Sequence, residues 1–221
     1  MTSFVLPRAV LWDVDGVLVD SAQYHYIAWR EALAREGVDL SYQDFRATFG
    51  QRNDTILRRL LGSDLPDADA ARIGDLKEAR YRQLICDRGI APLPGVLDWL
   101  ERLRASGWKQ AIASAAPRAN VDAILAALGI ADYFSAVTSS EDVTRGKPDP
   151  QVYLIAAQRL GVPPACCVVI EDAPAGVEGA RRAGMRCIGV TSTHPHLDAD
   201  IVVAALSDLP ADSFERLLAS R

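Results

Sequence analysis

The chain of 221 residues is 49% hydrophobic and 24% charged with a formal net charge of −5, enough length to bury a sizeable core as one large domain or two unequal ones. The acidic balance argues against a nucleic-acid polyanion as partner, while a local basic pocket could still hold a small phosphate. The apolar runs are too short to span a bilayer and the start MTSFVLPRAV lacks a basic segment followed by a long apolar one, so a cytoplasmic protein without nucleic-acid or membrane partners is expected.

The first predicted strand is AVLWDV from Ala9, an apolar, β-rich run that reads as buried. Yet LWDVDGVLVDS, residues 11–21, sets Asp13, Asp15 and Asp20 in and just after it. An unpaired carboxylate there costs on the order of several kcal/mol unless a cation or hydrogen-bond donors meet it. No further strand is predicted until Lys109. In between, AQYHYIAWREALAREG, SYQDFRATFG, NDTILRRLLG and DADAARIGDLKEARYRQLICDRG read as helices, more than one crossover needs, and a structureless loop of that length is implausible. Residues 19–89 are therefore expected to form a small helical bundle inserted after the first strand, with residues 1–18 and 90–221 as the core. Linkers near residues 17–21 and 88–94 permit a hinge.

Beyond Pro94-Gly95 helix and strand alternate at short intervals. VLDWLERLRASG feeds the strand KQAIAS, RANVDAILAALG leads to SAVTSS, DPQVYLIAAQRLG leads to CCVVIE, and PAGVEGARRAG leads to RCIGVT, with DIVV last. This indicates βαβ units: an α/β class, with a doubly wound, Rossmann-like parallel sheet and helices on both faces. Cys86, Cys166, Cys167 and Cys187 form no CxxC, and two are adjacent in an apolar run, so reduced core thiols are expected rather than disulfides or zinc ligands.

Ligands of open parallel sheets bind at the carboxyl ends of the strands. Those ends collect Asp13 and Asp15, then Ser114 and Ala115, then Glu171 and Asp172, with Lys147 in the loop TRGKPDP. Converging carboxylates repel unless a cation neutralises them, and hard oxygen ligands with room for water suit Mg²⁺. A metal, Lys147 and the Ser114 hydroxyl together make a phosphate-handling site, where positioning and charge neutralisation do most of the catalysis. Backbone N–H groups after Asp13 and Ser114 can hold the oxygens. Asp13 can attack phosphorus to give an aspartyl phosphate. Asp15 faces the same side if the strand pleat persists, as general acid for the leaving oxygen and base for the incoming one. Gly16 lets the chain turn away. The alternative for Ser114 is a helix N-cap before PRANVDAIL.

DVDGVLVDS, ASAA, GKPDP and VIEDAPAGVEGARRAG, in this order and at these separations, resemble the four motifs of the haloacid dehalogenase superfamily, over essentially the whole chain. The helical insert resembles its small α-helical cap, and DSAQYHYIAWREAL is similar to the subgroup of β-phosphoglucomutases and sugar-phosphate phosphatases. The resemblance implies Asp13 as nucleophile, Asp15 as acid/base, and Ser114 and Lys147 as the phosphate-binding pair. It implies Asp172 as a magnesium ligand beside Asp13 and the Asp15 carbonyl, with Glu171 holding the metal or its waters. The presence of Asp15 sets the chain apart from dehalogenases and phosphonate hydrolases of the group.

For the cap, candidates to face the crevice are His25, Gly50, Gln51, Arg52, Asn53 and Lys77. In the mutases a histidine at the place of His25 assists closure, an arginine near the place of Arg52 binds a distal phosphate, and a lysine four before a tyrosine, as Lys77 and Tyr81 stand here, contacts the sugar phosphate. GQRNDTIL is one residue shorter than the mutase stretch, and FGQRND also occurs in relatives resembling plain phosphatases. The bland alternatives are a helix-boundary role for His25, solvated helix charges for Arg52 and Lys77, an exposed loop for the HPH of His194 to His196, and core or interdomain packing for Trp12, Trp29, Trp99 and Trp108. The reading is a Mg²⁺-dependent phosphatase of a small phosphorylated metabolite, expected as a monomer. The alternatives are a phosphosugar mutase or, from another class, an inactive binding module.

Overall fold

The computed structural model describes residues 7–219, so the reading of the first six residues as lacking a leader lies outside it. Strand β1 (Ala9–Trp12) is buried at every position because it lies inside the sheet with cover on both faces. It pairs in parallel with β2 (Lys109–Ala113) on one side and β4 (Cys167–Glu171) on the other. With β3 (Ala136–Thr138), β5 (Arg186–Val190) and β6 (Ile201–Val203) the order is β3-β2-β1-β4-β5-β6, all parallel. The chain winds outward from β1 to β3, returns to β4, and winds the other way. That reversal opens the crevice at the carboxyl ends of β1 and its neighbours.

Alternate residues of β1 enter different layers, as the strand period requires. Val10 and Trp12 join an apolar layer with Trp99 and Leu100 of α5 (Val96–Ala105), Ile124 of α6 (Arg118–Leu128) and Phe214 of α9 (Ser213–Ala219). Ala9 and Leu11 join the opposite layer with Tyr153 of α7 (Gln151–Leu160) and Val177 of α8 (Pro174–Arg182). Helix α9 has no counterpart in the sequence reading, since its seven residues are too few for a helical period to register.

Four helices lie between β1 and α5: α1 (Ala22–Ala34), α2 (Tyr42–Thr48), α3 (Asn53–Leu61) and α4 (Asp67–Arg88). They have an apolar cluster of their own, including Trp29, Leu33, Phe45, Leu57 and Ile73, while Ala28, Tyr81, Leu84 and Ile85 pack into the sheet's first layer. The two connections run side by side. Val19 bridges Pro92 in antiparallel fashion, the Leu93 N–H donates to the Leu18 carbonyl at 2.9 Å, and the Tyr24 hydroxyl donates to the Gly89 carbonyl at 2.7 Å.

All four tryptophans are buried, as the packing reading expects. The cysteines are free thiols, but only Cys167 and Cys187 are core residues. Cys86 is exposed and Cys166 half-buried, because each lies at an element end where one face meets water. Among the described residues no helix is long and apolar enough to cross a membrane.

Candidate active site

Asp13 follows β1 directly, and its N–H still pairs with the Ile170 carbonyl at 3.1 Å, which fixes the carboxylate at the sheet's edge. The Lys147 ammonium, delivered by the loop before α7, donates to Asp13 Oδ1 at 2.8 Å and Glu171 Oε1 at 2.5 Å. Glu171, at the end of β4, also accepts from the Tyr153 hydroxyl at 2.8 Å, and its second oxygen accepts the N–H groups of Asp172 and Ala173. Helix α8 approaches it so closely that a Cβ on Gly176 would sit 1.9 Å from the Glu171 carboxyl carbon. Asp172 accepts from the Thr193 hydroxyl. It faces Gly16, whose φ is +80° and whose added Cβ would fall 2.0 Å from Asp172 Oδ2. Only glycine meets both demands.

Ligand oxygens of Asp13, Glu171 and Asp172 lie within 4.8 Å of one another, and all three residues are buried. Burial pushes the Asp13 carboxyl from 3.8 up to about 7 despite Lys147, with Glu171 and Asp15 adding to the rise. Burial, then Glu171 and Asp13, push Asp172 well up as well. Burial works against the Lys147 charge, but Asp13 and Glu171 outweigh it and raise its proton affinity. One ammonium thus serves three buried carboxyl groups. That excess of hard oxygen donors is what a divalent cation such as Mg²⁺ relieves, so the residues fit the expected metal.

Asp15 arrives differently from the expected route. The pleat does not persist, because β1 ends at Trp12 and Gly16 turns the chain. Asp15 accepts instead from the Ser21 hydroxyl and lies 3.3 Å from His25 Nε2 and 3.4 Å from the Tyr81 hydroxyl. Burial alone would raise its carboxyl, but His25 and Ser21 hold it at about 2. Burial first, then the Lys77 charge, lowers His25 below the ordinary imidazole range. Asp15 is thus held as the carboxylate, by the charge and hydrogen bond of His25 and by the hydrogen bond of Ser21.

Asp15 and His25 stand at the wall of a cavity of about 980 Å³ between sheet and inserted helices, which also touches Gly50, Gln51, Arg52, Asn53 and Lys77. Ser114, Ala115 and Lys147 line a narrow cleft that shares Arg52 with it. His25 lies in the first turn of α1, where it is buried and stacks on Tyr81 with ring centres 3.9 Å apart. Lys77 is no solvated charge. It is buried against Glu78 at 2.8 Å, over the rings of Trp29 and Tyr81. Arg52 is half-exposed, paired with Asp54 across solvent-facing surface. Asn53 turns to Glu78, and Gln51 bonds the Ala47 carbonyl. Ser114 does not cap α6: Pro117 holds that position, Glu141 accepts from the Arg118 N–H, and the buried Ser114 oxygen accepts from the Ala116 N–H at 3.1 Å.

The loop of HPH is less remote than expected. His194 is half-buried, with Nδ1 3.1 Å from the Asp172 carbonyl, whereas His196 is exposed. Sequence reasoning missed this residue, Thr193 beside it, and Tyr153 beneath Glu171. Reading the carboxyl end of the fifth strand along with the others would have found Thr193. No spacing signal marks Tyr153, which reads as an ordinary core aromatic.

The family description "haloacid dehalogenase-like hydrolase" matches residues 7–184. Protein CbbY of Rhodobacter capsulatus is 38% identical over 200 residues, covering 86% of this chain and 88% of that protein. Fructose-1-phosphate phosphatase YqaB of Escherichia coli is 33% identical over 184 residues, covering 82% and 95%. The crystal structure of β-phosphoglucomutase from Clostridium difficile superimposes with a TM-score of 0.85 at 27% identity, covering 97% of this chain and 98% of that one.

Proposed function

The chain belongs to the haloacid dehalogenase-like hydrolases, and from that membership we propose that it is a magnesium-dependent phosphatase of a small phosphorylated metabolite, a sugar phosphate by class, acting through an aspartyl phosphate. The observation that carries the reading is the gathering of Asp13, Glu171 and Asp172 within 4.8 Å of one another at the strand ends, where the Lys147 ammonium bonds the first two. Asp13, Asp172 and the Asp15 backbone carbonyl would hold Mg²⁺, with Glu171 fixed behind them by Lys147 and Tyr153. When bound, the metal supplies charge neutralisation for the carboxylates and the phosphoryl oxygens.

Asp13 attacks phosphorus, the ester P–O bond breaks, and the leaving alkoxide takes a proton from Asp15. Water then attacks the phosphoryl group, giving its proton to Asp15 and freeing phosphate and Asp13. Asp15 is ionised in the free enzyme, which suits the second step. For the first, the anionic substrate raises its proton affinity on arrival. His25, Ser21 and Tyr81 orient it throughout. Lys147 holds the transferred oxygens beside Asp13, joined by the Ser114 hydroxyl and the Ala115 N–H at the narrow cleft. Residues 19–89 act as the cap and residues 1–18 with 90–221 as the catalytic core, with Gly50, Gln51, Arg52, Asn53 and Lys77 setting specificity in a cytoplasmic monomer.

The likeness to β-phosphoglucomutase supports a second reading, in which the cap keeps water away and the phosphoryl group returns to the sugar. A phosphate-release panel of sugar phosphates, nucleotides and aryl phosphates with magnesium tests both. Steady release abolished by Asp13→Asn is expected. Conversion of β-glucose 1-phosphate to glucose 6-phosphate with little free phosphate would select the mutase, and no turnover at all would favour a binding module.

A further inference from the structure

The cap carries a buried carboxylate that the chemistry above does not use. Glu78 of α4 is 6% exposed and sits next to Lys77 in the chain. Its Oε1 accepts from Asn53 Nδ2 of α3 at 2.7 Å and from Lys77 Nζ at 2.8 Å. Its Oε2 accepts from Asn120 Nδ2 of α6 at 2.6 Å. Asn120, 1% exposed, in turn accepts from Arg82 Nη1 of α4 at 3.0 Å. One carboxylate therefore gathers two cap helices and one core helix.

Residues at adjacent helix positions do not normally share a face, yet Lys77 folds back onto Glu78 while its ammonium lies 5.1 Å from the Trp29 ring centre and 5.6 Å from that of Tyr81. The ammonium is held at the cavity wall by an anion whose remaining oxygen is satisfied only from the core. If the cap swings away, Glu78 loses Asn120 and becomes free to take water, and Lys77 loses its fixed anchor. We infer that Glu78 is a positioning residue: it converts docking of the cap on Asn120 into placement of the Lys77 ammonium at the cavity wall. This rests on the reading of Lys77 as a contact for the phosphorylated substrate.

The chain contains three lysines, Lys77, Lys109 and Lys147, so protein labelled with ¹³C-lysine gives three side-chain signals. The rings of Trp29 and Tyr81 mark Lys77, and Lys109, whose ammonium donates to the Leu160 carbonyl at 2.6 Å, reports the folded core. The test compares wild type with Asn120→Asp, which sets a second carboxylate against Glu78, and with the milder Asn120→Ala and Glu78→Gln. Asn120→Asp is expected to move the Lys77 signal toward that of a solvated lysine while the Lys109 and Lys147 signals stay in place, with Asn120→Ala moving it less. On fructose 1-phosphate KM is expected to rise about 10-fold, the loss of one hydrogen bond to a charged group, with kcat on a small aryl phosphate held within about twofold.

A Lys77 signal unmoved in Asn120→Ala and Glu78→Gln, with Lys109 in its folded position, overturns the inference, and those two variants decide the matter if Asn120→Asp does not fold. Failure of the wild type to release phosphate from either compound would overturn the phosphatase reading instead, and the lysine spectra would still decide whether Glu78 positions Lys77.

Discussion

Replacing Asp13, the proposed nucleophile, should stabilise the protein. In the folded chain Asp13 titrates near 7 against an ordinary 3.8, because burial and the neighbouring carboxylates outweigh Lys147. The folded state therefore binds this proton more tightly than the unfolded state, and stability falls as pH rises from about 4 through 7. The gap corresponds to a penalty on the order of 4 kcal/mol, complete by pH 8. Asp13→Asn removes the ionisation, while Lys147 keeps Glu171 as its partner. Urea unfolding in the presence of a chelator should then show the variant more stable than wild type by about 4 kcal/mol at pH 8 and by only about 1 kcal/mol at pH 4.5. Groups that Asp13 does not perturb are common to both proteins and cancel in the difference, while Asp172, which the Asp13 charge pushes up, is relieved in the variant and widens the gap at pH 8. Magnesium should close most of the gap by binding the wild type more tightly. A variant no more stable than wild type at pH 8, or a gap of equal size at both pH values, would refute the electrostatic reasoning.

Three further outcomes follow from particular contacts. Gly16→Ala places a Cβ 2.0 Å from Asp172 Oδ2 at a φ of +80°, so it should cost about 1–3 kcal/mol in backbone strain and weaken magnesium binding measured by calorimetry; unchanged affinity would mean Asp172 does not hold the metal. Leu57→Ala, fully buried in the cap's own cluster, should cost about 2–5 kcal/mol and speed amide exchange in α1–α4 while β1 and β4 stay protected; uniform acceleration would show that cap and core unfold as one. Asp142, bonded to Arg159 and to the Ser139 N–H, is held at about 2, chiefly by the Arg159 hydrogen bond. Its partial exposure to solvent limits Asp142→Ala to about 1 kcal/mol, a loss present above pH 4 and vanishing as pH falls toward 2, readable in thermal unfolding at the two ends of that range.

Alternation of strand and helix after Pro94 was legible because each element carries its period locally, and the parallel sheet follows because each strand is reached through a helical crossover. The insert was legible for the same reason, its helices being too many for one crossover. The gathering of Asp13, Glu171 and Asp172 was legible because polar residues at strand ends interrupt runs that otherwise bury completely. What escaped depends on contacts across the chain. The approach of Asp15 was misjudged because a glycine at positive φ ends the pleat, and the partners that hold it, Ser21, His25 and Tyr81, come from two helices. Lys77 was a candidate for the crevice, but its burial was not legible, because Glu78, Asn53 and Asn120 come around it only in the fold. Tyr153 and Thr193 support carboxylates from elements remote in sequence, where spacing carries no information.

The account turns on Asp13 as the group that receives the phosphoryl unit. The direct measurement is to quench wild type in acid during turnover of its fastest substrate with magnesium, reduce with borohydride, and sequence the peptides by mass spectrometry. An acyl phosphate becomes homoserine on reduction, so the account requires homoserine at position 13, absent without substrate and absent when magnesium is withheld. Phosphate release at full rate with no modification at Asp13, or with the phosphoryl group recovered on Ser114 or His25, would contradict it.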